Sequence, residues 1–134
     1  MKVWNSFGSE HSMNLVMIGR FEDSTHAHET KEIIDQLTKQ VSRDIDEGAV
    51  QYGGRTDKYS DGMLSLLEKV RVHCIAPAEL EQFGMDIRSE TKGNDVVITT
   101  DESDVSAFLK LLVDRGGRVE VFSAHFHKNS GFGR

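Results

Sequence analysis

The sequence predicts an α+β domain in which helices cover one face of an antiparallel sheet. Three observations support this prediction. The stronger elements follow the order strand, helix, strand, strand, helix, strand. Two strand-like segments, residues 85–91 and 95–100, are joined by residues 92–94 (Lys-Gly-Asn), which is a hairpin signal. The length and the 37% hydrophobic content suit one globular domain over residues 1–134.

The first half of the chain is predicted to hold two strands and a long helix. Residues 2–7 read as a short strand, and residues 13–21 as a stronger one that is apolar on both faces, as central strands are. A helix then runs from the cap candidates at 23–25 to about residue 46. Its apolar positions recur every three or four residues: Ile34, Leu37, Val41 and Ile45.

The second half adds two helices, the hairpin and a final strand. A glycine-rich loop over residues 48–59 precedes a helix that begins at Ser60 or Asp61. Pro77 suits the start of a short helical turn. Ser103 is the expected cap of the last helix, and residues 118–126 are the expected last strand. Residues 127–134 are expected to form a loose C-terminal tail.

The order of these elements resembles the ferredoxin-like (split β-α-β) plait, with an extra N-terminal strand and an inserted helix. The resemblance is architectural and implies an antiparallel sheet with helices on one face. The opposite face would then carry apolar side chains from residues 13–21, and we expect a homodimer to form through it. The alternative is that the first strand and the inserted helix fold back and cover it.

Charge narrows the choice of partners. The net charge of −6 argues against a general nucleic-acid binder, which needs a basic face. Residues 22–47 hold eight acidic against three basic residues, so this helical segment alone carries −5. Such a helix is either a solvated surface or a docking face for a basic protein partner.

The location is predicted from cysteine usage and hydropathy. Cys74 is the single cysteine, so no internal disulfide can form, and a buried, inert thiol is expected. The sequence shows neither a signal-peptide pattern nor an apolar run of membrane-spanning length. We therefore expect a cytoplasmic protein without a membrane partner.

Histidines provide the candidate metal site. His125 and His127 form an H-x-H pair on the last strand, where alternate side chains share a face. If that strand runs antiparallel beside residues 13–21, His11 comes towards the pair. Three imidazoles suit zinc or a similar divalent ion, and a single imidazole suits general acid or base catalysis. The alternative is three ordinary surface histidines.

The glycine-rich loop provides the candidate binding residues, because aromatic and arginine side chains anchor interfaces. They are Tyr52, Arg55, Asp57 and Tyr59. The leading functional hypothesis is a non-enzymatic binding or regulatory module that acts as a homodimer. The alternative is a small metal-dependent or histidine acid/base enzyme with its site at His11, His125 and His127.

Overall fold

The computed structural model describes residues 15–51, 56–85, 87–100 and 105–123. Along the chain these residues form β1 (Leu15–Arg20), α1 (Ser24–Asp46), α2 (Asp61–Val70), a 3₁₀ helix (Pro77–Gly84), β2 (Ile87–Lys92), β3 (Asp95–Thr100), α3 (Ser106–Asp114) and β4 (Arg118–Ser123). The α+β class predicted from the sequence is confirmed.

The four strands form one sheet in the order β2-β3-β1-β4, and every neighbouring pair is antiparallel. In β1, Leu15 lies opposite Thr100 on one side and Ser123 on the other. Because strand side chains alternate, Met17 and Ile98 share one face of the sheet while Ile18 and Val97 share the other. The four-stranded antiparallel sheet is thereby confirmed.

The described helices all pack on the Met17 face and enclose the main core there. The core joins apolar side chains of the sheet to those of α1, α2, α3 and the 3₁₀ helix. The rings of Phe83 and Phe108 lie 4.6 Å apart in it. The inserted helix α2 contributes Met63 and Leu67 to this core, so it does not cover the opposite sheet face.

Local chemistry explains where α1 begins and ends. The side chain of Asp23 accepts a hydrogen bond from the His26 amide at 2.9 Å, which satisfies one of the free N–H groups of the first turn. After Asp46 the chain reaches Gly48, whose positive φ of 82° ends the helix. Both ends agree with the sequence prediction.

Several predicted boundaries differ from the structure. The helical turn from Pro77 continues to Gly84, and the Met85 amide still bonds to the Gln82 carbonyl, so β2 begins only at Ile87. The last helix begins at Ser106, three residues after the predicted cap. Residues 72–75, between α2 and the 3₁₀ helix, form neither a helix nor a strand.

Other predictions fall outside the described residues: the strand over residues 2–7 and the loose tail over residues 127–134. Among the described residues, no helix is both long enough and apolar enough to cross a membrane.

Candidate functional site

The predicted histidine site depends on the pairing of β1 with β4. These strands are antiparallel neighbours, and Leu15 faces Ser123 at one end of the sheet. His11, His125 and His127 themselves lie outside the described residues, so the metal site stays a prediction. Within the described parts of the chain, no group of three or more His, Cys, Asp or Glu residues could hold a metal ion.

The predicted binding loop is only partly described. Tyr52 and Arg55 lie outside the described residues, whereas Asp57 is exposed. Tyr59 is half-buried against the main core, and its hydroxyl donates a hydrogen bond to the carbonyl of Ile75. Burial raises the pKa of this phenol. The hydroxyl of Tyr59 is thus used within the fold, and the role of the loop in binding stays a prediction.

The acidic residues between positions 22 and 47 do not all lie on one solvated surface. Asp44 is only 1% exposed, and its carboxylate accepts hydrogen bonds from Gln40 and from the Ser60 hydroxyl, both at 3.0 Å. The same hydroxyl accepts from the Met63 amide and so caps α2. Asp44 therefore connects the C-terminal part of α1 to the start of α2. It is not part of the docking face predicted for this helix.

The remaining acidic residues of α1 have different surroundings. Asp35 forms an ion pair with Lys31 at 2.7 Å. Glu29 and Glu32 are exposed and line an open cleft of about 520 Å³. This cleft lies between the N-terminal half of α1 and the C-terminal ends of α2 and α3, and we call it the α1 cleft. Ile33 of α1 and Val70 of α2 give it an apolar floor.

Of the described acidic residues that line the α1 cleft, one contacts a cationic side chain and two do not. Asp114 accepts from the Arg115 guanidinium at 3.3 Å, and the same nitrogen, Nη2, also bonds to the carbonyl of Arg71. Glu32 accepts one hydrogen bond from the Gln36 amide at 3.4 Å. Among the described residues, no cationic side chain forms an ion pair with Glu29 or Glu32. Two carboxylates therefore give this cleft its negative charge.

Two buried polar atoms of the α1 cleft have no hydrogen-bond partner among the described residues. They are Oε1 of Gln36, an acceptor, and Nε of Arg115, a donor. Buried polar groups are normally satisfied by protein or by ordered water. Because both atoms are buried, a bound group reaches them only if these side chains turn towards the cleft.

His26 lies at the edge of the α1 cleft. Its Nδ1 is 2.7 Å from Oδ1 of Asp23, the residue that caps the helix. This hydrogen bond, helped by the nearby negative charge, raises the pKa of the imidazole. Hydrogen bonds from the His26 amide and ring lower the pKa of the Asp23 carboxyl. His26 is exposed in the first turn of α1, and its place beside a cleft was not predicted from the sequence.

A second polar cluster joins two elements of the fold and is not part of the α1 cleft. Ser106 donates to Glu79 at 2.6 Å, and Lys110 pairs with the same carboxylate at 2.9 Å. Burial alone would raise the pKa of Glu79, but hydrogen bonds from Ser106, the Ala76 amide and Lys110 outweigh it and lower that pKa. The cluster joins α3 to the 3₁₀ helix, and each of its members already has a partner.

Cys74 is half-buried, less than the sequence interpretation expected. Burial, followed by the nearby Asp114 carboxylate, raises the pKa of its thiol. A thiol with a raised pKa holds less of the reactive thiolate at neutral pH. Its surroundings therefore agree with the expectation of low reactivity.

The sheet face opposite the helices, which we call the open face, has a small apolar centre. Val16, Ile18 and Val97 form it, with Phe122 packed at its side. Charged residues surround this centre on the same face. They are Arg20, Arg88, Glu90, Lys92, Asp95, Arg118 and Glu120. Within the described residues no helix packs on this face.

Taken together, the described residues define a small α+β domain with a one-sided helix layer and an open, acidic cleft between helix ends. A family model covers residues 1–134, and its description is "Family of unknown function (DUF6375)". The chain belongs to this family. The comparisons with curated proteins and with solved structures each find no match.

Proposed function

We propose that this protein is a non-enzymatic binding module whose α1 cleft receives a cationic side chain of a basic protein partner. The observation that carries the proposal is the pair of uncompensated carboxylates, Glu29 and Glu32, above an apolar floor formed by Ile33 and Val70. Lysine and arginine side chains have an alkyl stem below a charged head. The two parts match the floor and the rim of the cleft.

Arginine matches the α1 cleft better than lysine does. Its guanidinium offers five N–H donors in a planar fork that suits carboxylates, whereas the ammonium of lysine is a compact point charge. Oε1 of Gln36 is a buried acceptor, which one of these donors reaches if the side chain turns towards the cleft. The Nε donor of Arg115 would suit a carbonyl oxygen of the same partner. The proposed ligand is therefore an arginine presented on a peptide backbone.

The experiment is a titration with a hexa-arginine peptide, followed by calorimetry and by amide NMR of the labelled protein. The test variant is Glu29→Gln with Glu32→Gln. The matched control is Asp46→Asn with Glu47→Gln, which removes the same charge from exposed positions at the other end of the helix.

Each exposed ion pair is worth about 0.2–1 kcal/mol, so losing two should weaken binding about 2- to 30-fold. The control should change the affinity much less, and the shifted amides should lie around Glu29, Gln36 and Arg115. Equal losses in both variants would mean that the peptide responds only to overall negative charge. That result would end the proposal of a specific site.

The plait architecture forms part of the same proposal. The strand order β2-β3-β1-β4 with all pairs antiparallel is the order of a ferredoxin-like sheet, which supports that assignment. We also propose that residues 1–134 make one domain. This fold carries many unrelated functions, so the binding role depends on the cleft and not on the architecture.

The proposed binding function does not depend on a homodimer. A stable interface buries about 800 Å² on each partner. Val16, Ile18 and Val97 at the centre of the open face are only 7%, 3% and 5% exposed, so they offer a second copy little apolar area. Self-association stays a prediction from the sequence, to be tested by light scattering.

The second candidate function is the histidine site, for zinc binding or for acid/base catalysis. The antiparallel pairing of β1 with β4 supports it, because Leu15 and Ser123 face each other where the chain leads to His11 and to His125. Calorimetry with zinc should show binding that is lost in His125→Ala with His127→Ala. The matched control alters the other H-x-H pair, as His26→Ala with His28→Ala. Absence of zinc binding in the wild type would end the metal form of this candidate.

A further inference from the structure

We infer that the open face carries an anion site at one end, where the guanidinium groups of Arg20 and Arg118 bind one phosphoryl group. The inference is independent of the α1 cleft, which lies in the helix layer on the other side of the sheet. It concerns a ligand of the opposite charge.

The strand register places the two arginines side by side. Arg20 ends β1 and Arg118 begins β4, and the two residues lie directly opposite each other in the antiparallel pair. Directly opposite residues share a face, with Cβ atoms about 4.5–5.5 Å apart, and like charges in this position destabilise a sheet. Both side chains are exposed. The fold therefore keeps an unfavourable pair of cations that a bound anion relieves.

Charges on the open face are sorted by rows that run across the strands. The row at this end holds three cationic side chains and one acidic side chain: Lys92, Asp95, Arg20 and Arg118. The central row has Glu90 and Glu120 on either side of the apolar centre. The row at the far end has one charged residue, Arg88. A chain with a net charge of −6 thus concentrates positive charge at one end of this face.

The described residues neutralise neither arginine. Asp95 lies between Lys92 and Arg20, so one carboxylate faces two cations. Arg118 lies beyond Arg20 on the edge strand β4, and in the described sheet its directly opposite residue is Arg20. Over the ranges that the structure describes, no carboxylate forms an ion pair with either arginine. Both guanidinium groups are therefore free to contact a ligand from solvent.

A phosphoryl group matches this pair better than a carboxylate does. A guanidinium presents its N–H donors in a planar fork that binds two oxygens. A phosphate monoester has nearly two negative charges and three terminal oxygens at neutral pH, which suits two guanidinium groups. A carboxylate has one charge and two oxygens, which suits one. The carboxylate of Glu120 in the next row repels a polyanion that extends along the face, so the geometry favours a small phosphate over a nucleic acid.

The experiment follows the amide NMR shifts of the labelled protein during titration with inorganic phosphate and, separately, with glycerol phosphate, at low salt and about pH 7.5. The test variant is Arg118→Glu. The matched control is Arg88→Glu, which makes the same charge change at an exposed position of the same face. Both arginines lie on edge strands with a glutamate two positions further along, but Arg88 lies opposite Thr99 and not opposite an arginine.

Both anions should shift amides around Arg20 and Arg118 in the wild type. Arg118→Glu removes one attraction and adds one repulsion, each comparable to an exposed ion pair, so binding should weaken about 2- to 30-fold. Arg88→Glu should change the affinity much less. Binding of either anion with this pattern supports the site, and the tighter of the two identifies free phosphate or a monoester as its source. Equal losses in both variants, or no shifts at this end of the sheet in the wild type, would overturn the inference.

A second measurement tests the repulsion without a ligand. Arg118→Glu puts a carboxylate opposite Arg20, so at low salt its urea midpoint should exceed that of Arg88→Glu by about 0.1–1 M. Added phosphate should raise the midpoint of the wild type more than that of Arg118→Glu, because a ligand stabilises the folded state that binds it. An Arg118→Glu midpoint at or below that of Arg88→Glu would contradict the unfavourable pair on which the inference depends.

Discussion

Gln82 provides the sharpest test of how this fold is held together. It is 2% exposed, and its side-chain oxygen accepts a hydrogen bond from the Ala107 amide at 2.8 Å. Its amide nitrogen donates to the Ser106 hydroxyl at 3.0 Å. The residue at the N-cap position of α3, Val105, has no side chain that can accept such a bond. A glutamine from the 3₁₀ helix therefore caps α3 from a distant part of the sequence.

Replacing Gln82 by leucine keeps the size of the side chain and removes both hydrogen bonds. Ala107 is fully buried, so its amide loses its partner away from water. A buried donor left unsatisfied costs about 1–3 kcal/mol, and loss of a helix cap costs about 0.5–2 kcal/mol. The two estimates describe the same bond and do not add. We expect Gln82→Leu to lower the free energy of unfolding by about 2 kcal/mol.

Urea unfolding followed by circular dichroism measures this loss. With an m-value of about 2 kcal/mol per molar urea, the midpoint should fall by about 1 M. The control is Gln51→Leu, the same substitution at an exposed position, for which the midpoint should hardly move. A Gln82→Leu midpoint equal to that of the wild type would refute the assignment of Gln82 as the cap of α3.

Three further predictions follow from local geometry. A Cβ on Gly19 would lie 3.0 Å from the Leu112 side chain. Alanine normally stabilises a strand relative to glycine, but this close approach should make Gly19→Ala less stable by about 1 kcal/mol in urea unfolding. Increased stability would contradict the close approach. Asp23→Asn should lower the pKa of His26 in an NMR titration, because it removes the carboxylate that raises this pKa; an unchanged pKa would argue against the 2.7 Å contact. Cys74 should react with a thiol reagent more slowly in the folded than in the urea-unfolded chain at neutral pH, because burial raises its pKa; equal rates would contradict that burial.

The signs of the Asp23 and His26 shifts define a pH window. The raised pKa of His26 gives stability that is fully present below the unfolded value near 6.5 and is lost as pH rises through the folded pKa. The lowered pKa of Asp23 gives stability that is present above the unfolded value near 3.9 and is lost as pH falls through the folded pKa. The pair therefore contributes most between about pH 4 and 6.5.

The elements that the sequence predicted well depend on near neighbours. The apolar stripe of α1, its cap at Asp23 and its end at Gly48 all involve residues within one or two helical turns. The hairpin between β2 and β3 has the same local origin, because Gly93 with its φ of 60° permits the tight turn. The start of α3 was missed because its cap, Gln82, is 25 positions away from Ala107.

In the candidate site, too, some features follow from near neighbours and others from contacts between residues far apart in the sequence. Spacing along α1 puts Glu29, Ile33 and Gln36 on one side of the helix, and that signal is readable in the sequence. The residues opposite them cannot be predicted from this spacing, because Val70 lies at the end of α2 and Arg115 directly follows α3. Asp44 was counted with a solvated acidic face although Gln40 and Ser60 bond it inside the fold.

For this protein, the sequence by itself determined the α+β class, the segments that become helices and strands, and the negative charge of residues 22–47. These properties follow from periodicity, caps and turns, which act over a few residues. Only the tertiary structure decided which acidic residues face a cleft and which one is buried, and which sheet face the helices leave open. Those outcomes depend on contacts between residues far apart in sequence, and local physical rules do not determine them.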